Sequence, residues 1–339
     1  MSDFRRLPKA ELHRHLEGSL RLETLFEIAR EEQISLPAAT VEAFRQLVQI
    51  HSHEPFTAEN FLSKFKVLRQ FYRSPEIIRR LTTEVVEDAA QDGVRYLELR
   101  FTPVALARIR GFPLREVMDW VVESANQAAA RLGLTLCLIA SVNRHESPAL
   151  AEEVAQLAVD FQDRGITGMD LAGDEENYPA RPFIPIMREA KQAGLHLTIH
   201  AGEWSGAASV VEAIQELQAE RIGHGIRVME DPRAVALARE QGTVFEVCPT
   251  SNYQSGVVPS LKAHPFPAMQ EAGLRVTLNT DDPGVSNITL SHEFQVAHEV
   301  MALDQNRLWH CTRTALEAAF LPPDERQALI AAFQHAWEA

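Results

Sequence analysis

Three segments of the chain alternate apolar and polar positions with the period of an amphipathic helix. In each segment a helix-capping residue stands directly before a proline, and a glycine follows the last apolar position. The capping residues are Ser74, Ser147 and Asp231, and the glycines are Gly93, Gly165 and Gly242. Proline favours the first turn of a helix, and glycine favours its end. The pattern therefore predicts three helices, each with one face buried.

Short apolar runs, rich in β-branched residues, are typical of buried strands and recur along the chain. Eight runs are candidates: Ala10–His15, Val94–Thr102, Leu134–Val142, Ile166–Ala172, Leu195–His200, Arg221–His224, Thr243–Pro249 and Arg275–Thr280. Eight strand-and-helix units predict an α/β fold, a (β/α)₈ TIM barrel, in a single domain over residues 1–339. No glycine-rich dinucleotide motif follows the first strand, which disfavours an open Rossmann sheet.

The segment from Leu22 to Arg73, between the first two predicted strands, is longer than a simple crossover between strands requires. We expect it to form extra helices that cap the mouth of the barrel. The sequence shows no linker, second domain or low-complexity stretch elsewhere.

The composition favours a folded protein that binds a small ligand. Of the 339 residues, 45% are hydrophobic and 24% are charged, which provides for a large core. The net charge of −14 disfavours a nucleic-acid partner, which would require clustered lysine and arginine. The three cysteines, Cys137, Cys248 and Cys311, indicate neither a disulfide framework nor a thiolate zinc site. Because there is no apolar signal core and no long uncharged apolar run, we expect a soluble cytoplasmic protein without a membrane partner.

Residues that bind metals or transfer protons stand at the carboxyl ends of four predicted strands. They are His13 and His15, then His200 and Glu203, then His224, and finally Asp281 and Asp282. In a barrel the carboxyl ends of all strands meet on one face, where active sites lie. Each cluster alone has a structural explanation, such as a buried histidine or an aspartate that caps a turn. Their joint occurrence indicates an active site.

Three imidazoles and one carboxylate form a donor set that suits zinc. We expect one zinc ion per chain, with a position left for water, and the four predicted ligands are His13, His15, His200 and Asp281. Zinc lowers the pKa of its bound water to about 7, so hydroxide is available at neutral pH. Three residues remain for acid–base chemistry and substrate contacts: Glu203, His224 and Asp282.

Several motifs of the chain resemble the adenosine deaminase family of the amidohydrolase superfamily. In order, they are KAELHRHLEGSL, YLELRFTP, MDLAGDE, LTIHAGE, RIGHG, CPTSN and TLNTDDPG. Their ordered occurrence along almost the whole chain is highly specific for the family and less specific for the substrate. The resemblance implies a zinc-dependent hydrolase that converts adenosine or 2′-deoxyadenosine to the corresponding inosine plus ammonia.

The resemblance also implies roles for individual residues, beginning with the four metal ligands named above. Glu203 would protonate N1 of the purine, His224 would orient and deprotonate the attacking water, and Asp282 would accept a hydrogen bond from protonated N7. The backbone of Gly173 would contact N3. An apolar lid over the purine is implied by a set of residues whose spacing is equally typical of a buried helix face: Phe61, Leu62 and Phe65.

Glu17 departs from the family's pattern, because the adenosine enzymes typically carry aspartate there and use it to hold a ribose hydroxyl. Adenine deaminases also carry glutamate at this place, but they usually have aspartate in place of Gly223. Other segments are similar to the branch that deaminates N6-methyl-AMP, and aminofutalosine is a further alternative substrate. A 5′-phosphate beside the Glu17 carboxylate would meet a like charge, so we expect substrates of the AMP type to fail.

Three other classes of protein remain as alternatives. A two-metal amidohydrolase would generally carry a bridging lysine at the end of the fourth strand, but the segment from Met169 to Gly173 contains none. A cytidine-type deaminase would carry an HxE motif followed by PCxxC, which the sequence lacks. Outside enzymes, the alternative is a metal-binding barrel that acts as a scaffold or sensor, and turnover of adenosine would distinguish the two.

Overall fold

Eight parallel strands pair in chain order in the computed structural model, which describes residues 4–338. The strands are β1 (Lys9–His15), β2 (Val94–Phe101), β3 (Thr135–Asn143), β4 (Ile166–Ala172), β5 (His196–Ala201), β6 (Arg221–His224), β7 (Val244–Val247) and β8 (Arg275–Leu278). Just after β8, the backbone N–H of Asp281 donates to the oxygen of His13 (2.9 Å), and the N–H of His15 donates to the oxygen of Asp281 (2.9 Å). These bonds nearly close the barrel, so the predicted (β/α)₈ fold is confirmed.

The predicted domain over residues 1–339 extends slightly beyond the described part of the chain, since residues 1–3 and 339 lie outside it. Predicted and observed strand ends differ by at most two residues. The strand predicted over Thr243–Pro249 is shorter in the structure, because β7 ends at Val247. Pro249 instead begins a helix, since proline has no N–H to donate to a strand ladder and suits the first helical turn.

The eighth strand is also shorter than the predicted run Arg275–Thr280, because it ends at Leu278. Directly after it, the side-chain oxygen of Asn279 accepts a hydrogen bond from the backbone N–H of Leu12 (2.8 Å). Where β8 meets β1, the backbone N–H of Leu12 is therefore bonded to a side-chain oxygen instead of a backbone carbonyl of β8. The regular strand pairing ends at this point.

Helices connect the strands and cover the outside of the barrel. They are α1 (Leu22–Glu31), α2 (Val41–Val48), α3 (Ala58–Leu68), α4 (Pro75–Gln91), α5 (Pro103–Ala107), α6 (Leu114–Leu132), α7 (Pro148–Asp160), α8 (Ile184–Gln192), α9 (Ala207–Gln215), α10 (Pro232–Glu240), α11 (Pro249–Gln254), α12 (Phe266–Glu271), α13 (Pro283–Ser286), α14 (Leu290–Glu299), α15 (Gln305–Glu317) and α16 (Pro323–Glu338). Over residues 4–338, none of these helices combines the length and the apolar composition needed to cross a bilayer.

The three helices predicted from capping residue, proline and glycine are α4, α7 and α10. The side chains of Ser74, Ser147 and Asp231 each accept a hydrogen bond from a backbone N–H of the first turn. Past the end of α4, Gly93 has φ of 83°, a conformation that favours glycine, and a Cβ there would lie 2.5 Å from the carbonyl oxygen of Arg5. These three predictions are confirmed.

The long segment between β1 and β2 forms helices α1, α2 and α3, as predicted, followed by a 3₁₀ turn at Arg69–Phe71. The hydroxyl of Thr57 caps α3 by accepting the N–H of Asn60 (3.2 Å). Side chains of α3 line the same cavity as residues at the carboxyl ends of the strands. The extra helices therefore cover the mouth of the barrel, and they position an apolar surface above the site.

Candidate active site

The four predicted metal ligands meet at the carboxyl ends of β1, β5 and β8. One nitrogen or oxygen atom from each of His13, His15, His200 and Asp281 lies within 4.8 Å of the others. Oδ1 of Asp281 is 3.3 Å from Nε2 of both His13 and His15. Nε2 of His15 is also 3.3 Å from Nε2 of His200. The barrel therefore brings together four side chains that lie as much as 268 positions apart in the sequence (281 − 13).

This donor set fits a zinc ion. A tetrahedron with zinc–ligand distances of about 2.0–2.1 Å separates neighbouring ligand atoms by about 3.3 Å, which matches the three distances of 3.3 Å given above. Nε2 of His13 is buried and has no hydrogen-bond partner among residues 4–338. A buried polar atom without a partner is costly, and a metal ion would satisfy it.

Two residues of this cluster adopt a left-handed backbone conformation that non-glycine residues rarely use. Asp281 has φ of 66° and His224 has φ of 58°. At Asp281 the surrounding hydrogen bonds to β1 hold the backbone in this conformation. Backbone conformations of this kind persist at functional sites because neighbouring contacts fix them.

A second layer of charged side chains lies beneath two of the predicted ligands. Nδ1 of His13 is 2.8 Å from Oε2 of Glu246, and Nδ1 of His200 is 2.8 Å from Oδ1 of Asp170. Arg100 lies between the two carboxylates and donates to Glu246 (2.7 Å). Such contacts fix the tautomer of a ligand histidine and leave Nε2 free for a metal. Burial opposes ionisation of Glu246, but neighbouring arginines and His13 hold the pKa of its carboxyl well below its usual value.

Glu246, Asp170 and Arg100 were not predicted as site residues. Their signal was a charged residue flanked by apolar residues within a strand: FEV in β7, MDLA in β4 and LRF in β2. All three are fully buried, with 0% exposure. Charged residues are rarely buried unless they are paired, so each of them pointed to a partner inside the barrel.

Glu203 and His224 lie next to each other beside the metal cluster. Oε2 of Glu203 is 3.6 Å from Nε2 of His224, whose Nδ1 is 3.0 Å from Nδ2 of Asn252. Burial, with the charges of Asp281 and Glu175, raises the pKa of Glu203 well above its usual value. Burial also lowers the pKa of His224 well below its usual value. The site therefore favours a protonated carboxyl next to a neutral imidazole.

A further carboxylate, Glu175, organises the loop that carries Glu203. It follows β4 and accepts hydrogen bonds from the backbone N–H groups of Gly202 (2.6 Å), Glu203 (3.1 Å), Trp204 (3.1 Å) and Ser205 (3.1 Å). Four backbone donors on one buried carboxylate fix this loop relative to β4. Glu175 is the glutamate of the motif MDLAGDE, and no role was predicted for it.

The cavity above the metal cluster contains every predicted substrate-binding residue. Its lining includes Glu17, Phe61, Leu62, Phe65, Gly173 and Asp282, together with His15, His200, Glu203, His224 and Asp281. Phe61 is buried, while Leu62 and Phe65 are half-buried. The three apolar residues of α3 therefore face the same cavity as the polar residues of the strand ends. This arrangement suits a flat aromatic ligand with polar edges.

Asp282 faces this cavity with a carboxylate oxygen, Oδ1, that is buried and has no hydrogen-bond partner among residues 4–338. Burial and the nearby charges of Asp281 and Glu17 raise the pKa of Asp282 well above its usual value. A Cβ at Gly18 would lie 1.8 Å from the same oxygen. Glycine at position 18 therefore leaves the space that the Asp282 side chain occupies.

Comparison with known proteins identifies the family of the chain. The family model for adenosine deaminase matches residues 8–336. The chain belongs to the adenosine deaminase family. It is 37% identical over 323 residues to the adenosine deaminases of Shigella flexneri and of an Escherichia coli O157:H7 strain, covering 95% of this chain and 96% of theirs. Family membership supports a hydrolytic deaminase and weighs against the scaffold or sensor hypothesis.

Solved structures of related deaminases superpose over nearly the whole chain. Adenine deaminase from Arthrobacter aurescens matches with a TM-score of 0.91 at 28% identity, covering 98% of this chain and 100% of that one. The Arabidopsis N6-mAMP deaminase MAPDA matches with a TM-score of 0.88 at 29% identity, covering 99% and 100%. Arabidopsis ADAL complexed with IMP matches with a TM-score of 0.87 at 27% identity, covering 100% and 99%.

Glu17, the departure from the family's usual aspartate, lies at the edge of the cavity. Its Oε1 accepts a hydrogen bond from the backbone N–H of Thr102 (2.6 Å), whereas its Oε2 is buried without a partner among residues 4–338. Burial raises the pKa of Glu17, and the hydrogen bond from Thr102 opposes that shift. One oxygen is thus fixed by the protein, and the other is available to a ligand.

Gly223 lies directly beneath the predicted metal ligands. A Cβ at this position would be 2.9 Å from Cε1 of His13 and 3.2 Å from Cγ of His200. Any larger residue would therefore require the two histidines to move. The arrangement in this chain is adapted to glycine rather than to the aspartate that is usual in adenine deaminases.

Proposed function

We propose that the protein catalyses the hydrolytic deamination of adenosine and 2′-deoxyadenosine, and that it requires one zinc ion. The observation that supports this most strongly is the position of Glu203, His224 and Asp282 in one cavity with four side chains that fit a zinc ion. Water replaces the amino group at C6 of the purine, so one nucleoside and one water give one inosine-type nucleoside and one ammonia. Location in the cytoplasm stays a prediction.

The proposed metal ligands are His13, His15, His200 and Asp281. When bound there, zinc acts as a Lewis acid that lowers the pKa of a coordinated water to about 7. The buried carboxylates Glu246 and Asp170 hold the rings of His13 and His200 in place from the opposite side. This support keeps the donor atoms aimed at one point before any ion arrives.

Glu203 and His224 are the proposed proton-transfer residues. The raised pKa of Glu203 keeps its carboxyl protonated, so it can donate a proton to N1 and make C6 more electrophilic. The lowered pKa of His224 keeps its imidazole neutral, so it can accept a proton from the attacking water. A general acid must be protonated and a general base unprotonated at the same pH, and the two pKa shifts favour these states for Glu203 and His224.

The remaining residues of the cavity are proposed to hold the substrate. Oδ1 of Asp282, which has no protein partner among the described residues, would share a proton with N7 of the purine. The backbone of Gly173, where φ is 93°, would lie against N3. Phe61, Leu62 and Phe65 would cover the ring and exclude water from C6. Oε2 of Glu17 would accept a hydrogen bond from a ribose hydroxyl.

A second candidate substrate is a 6-aminopurine nucleotide, such as N6-methyl-AMP. It is supported by the Arabidopsis relatives, one of which is an N6-mAMP deaminase and others of which are complexed with IMP and GMP. Adenine itself is less favoured, because Gly223 stands where adenine deaminases usually carry aspartate. Aminofutalosine remains the third alternative.

The direct test is to incubate the purified protein with adenosine, 2′-deoxyadenosine and adenine and to follow the absorbance change as the amino group is lost. We expect kcat/KM for both nucleosides to exceed that for adenine by about 10²-fold or more, because adenine cannot use the ribose contact. Turnover of adenine alone would contradict the proposed substrate. Release of no ammonia from any of the three would contradict the proposed substrate class.

A further inference from the structure

Arg69 lies at the end of α3 and lines the same cavity as Glu203 and Asp282. Among the described residues that line this cavity, it is the only lysine or arginine. Its Nε is buried without a hydrogen-bond partner, and its guanidinium forms no ion pair with any residue in the range 4–338. The cavity therefore contains a half-buried positive charge that the described residues leave without an ion pair.

An unpaired arginine is unusual next to so many carboxylates. The same cavity holds Glu17, Glu203, Asp281 and Asp282. Other arginines in the barrel are paired, as Arg100 is with Glu246 and Arg221 is with Glu98 and Glu246. The side chain of Arg69 is half-buried, and a buried N–H such as its Nε–H is unfavourable without an acceptor unless a ligand supplies one. Arg69 is therefore positioned to donate a hydrogen bond to an acceptor group of the substrate.

Glu17 contributes a hydrogen-bond acceptor to the cavity that Arg69 lines. Its Oε2 is a buried acceptor without a partner among residues 4–338, and Nε of Arg69 is a buried donor without one. The positive charge of Arg69 acts against the raised pKa of Glu17, yet the two side chains form no ion pair within residues 4–338. A ligand that offers both a hydroxyl and an anionic oxygen would satisfy both groups. The sugar of a nucleoside 5′-monophosphate offers this combination.

We propose that Arg69 is a specificity-determining residue that binds an anionic group on the sugar, so that nucleoside 5′-monophosphates such as AMP are substrates alongside adenosine. This inference rests on the proposed deaminase function and extends its substrate class. Arg69 supplies the positive charge that offsets the repulsion expected between Glu17 and a 5′-phosphate. Arginine suits this role because its planar guanidinium can donate two parallel hydrogen bonds to a phosphate.

The test compares kcat/KM for adenosine and AMP in the wild type and in Arg69→Met, which keeps an unbranched side chain but removes the charge. Arg69→Lys, which keeps the charge, should restore part of the lost activity. Lys66→Met is the matched control, because Lys66 is exposed on the same helix. We expect Arg69→Met to lower kcat/KM for AMP by about ten-fold or more and to change that for adenosine by less than about three-fold.

A second readout is product binding, which does not depend on turnover. The dissociation constant of IMP should rise by about ten-fold in Arg69→Met, whereas that of inosine should stay the same. Equal losses for both products, or for both substrates, would show a structural role and overturn the proposal. A wild type that neither binds IMP nor deaminates AMP would overturn it as well. If neither substrate is deaminated but IMP binding depends on Arg69, the deaminase function fails while the anion site stands.

Discussion

Nδ1 of His200 lies 2.8 Å from Oδ1 of Asp170, which is buried on the neighbouring strand β4. The other oxygen of this carboxylate accepts a hydrogen bond from Ser141 (3.0 Å) and lies 3.4 Å from Nη1 of Arg100. Burial opposes the charged form, but His200 and Arg100 outweigh it and hold the pKa of Asp170 below its usual value. A charged Asp170 thus orients His200 toward the other predicted ligands.

Replacing Asp170 with asparagine should lower the affinity for zinc by about 10–100-fold, because the amide supports the ring of His200 less well than a carboxylate does. A competition titration against a chelator of known affinity measures this change. Asp163→Asn is the matched control, since Asp163 is exposed and distant in the sequence from the proposed ligands. Zinc affinity equal to that of the wild type would show that Asp170 has no supporting role.

Glu203→Gln should lower kcat by about 10²-fold or more and leave the zinc content unchanged. Glutamine keeps the size of the side chain but has no proton to transfer to N1. Steady-state kinetics with adenosine, together with elemental analysis of the same sample, provide the measurement. A variant with near-normal kcat would remove the general-acid role from Glu203.

The pH dependence gives an independent test of the same residue. A general acid must be protonated, so activity should be present below the raised pKa of Glu203 and should fall as pH rises through it. The profile of log kcat/KM for the wild type should therefore have an alkaline limb that the residual activity of Glu203→Gln lacks. The same alkaline limb in both proteins would assign it to another group.

Glu175→Gln should lower kcat by about 10–100-fold through displacement of Glu203, since small misplacements of a reacting group have effects of this size. In the wild type, four backbone N–H groups of the loop donate to the two carboxylate oxygens of Glu175. The glutamine amide offers only one acceptor oxygen to these four donors. Zinc content should not change. Glu176→Gln is the control, because Glu176 is the adjacent residue and is exposed. If both variants behave alike, Glu175 does not position the loop.

Much of this molecule could be predicted from the sequence, because the barrel follows from local signals. Apolar runs locate the strands, and the capping residues with proline locate helices such as the one that begins after Ser74. The motifs at the strand ends then identify His13, His200 and Asp281 together, since a barrel brings those ends to one face. The exact end of β8 was missed because it depends on a tertiary contact of the Asn279 side chain.

The residues that support the site could not be predicted in the same way. Arg100, Asp170 and Glu246 meet only because the register of the barrel places them at the same depth, and no spacing in the sequence encodes that meeting. Arg69 lies at the end of α3, outside every recognisable motif, and its importance follows from the lack of a partner for its Nε among the described residues. Such relationships are tertiary, so only the structure shows them.

Titration of metal-free protein with zinc, while ammonia and inosine are measured from adenosine, tests the central claim most directly. We predict that activity rises in proportion to added zinc up to about one ion per chain, as expected for three histidines and one aspartate around a single metal. Ammonia and inosine should form in equal amounts, and His200→Ala should show no such rise. Full activity without zinc, an end point of two ions per chain, or no release of ammonia from adenosine would contradict the proposal.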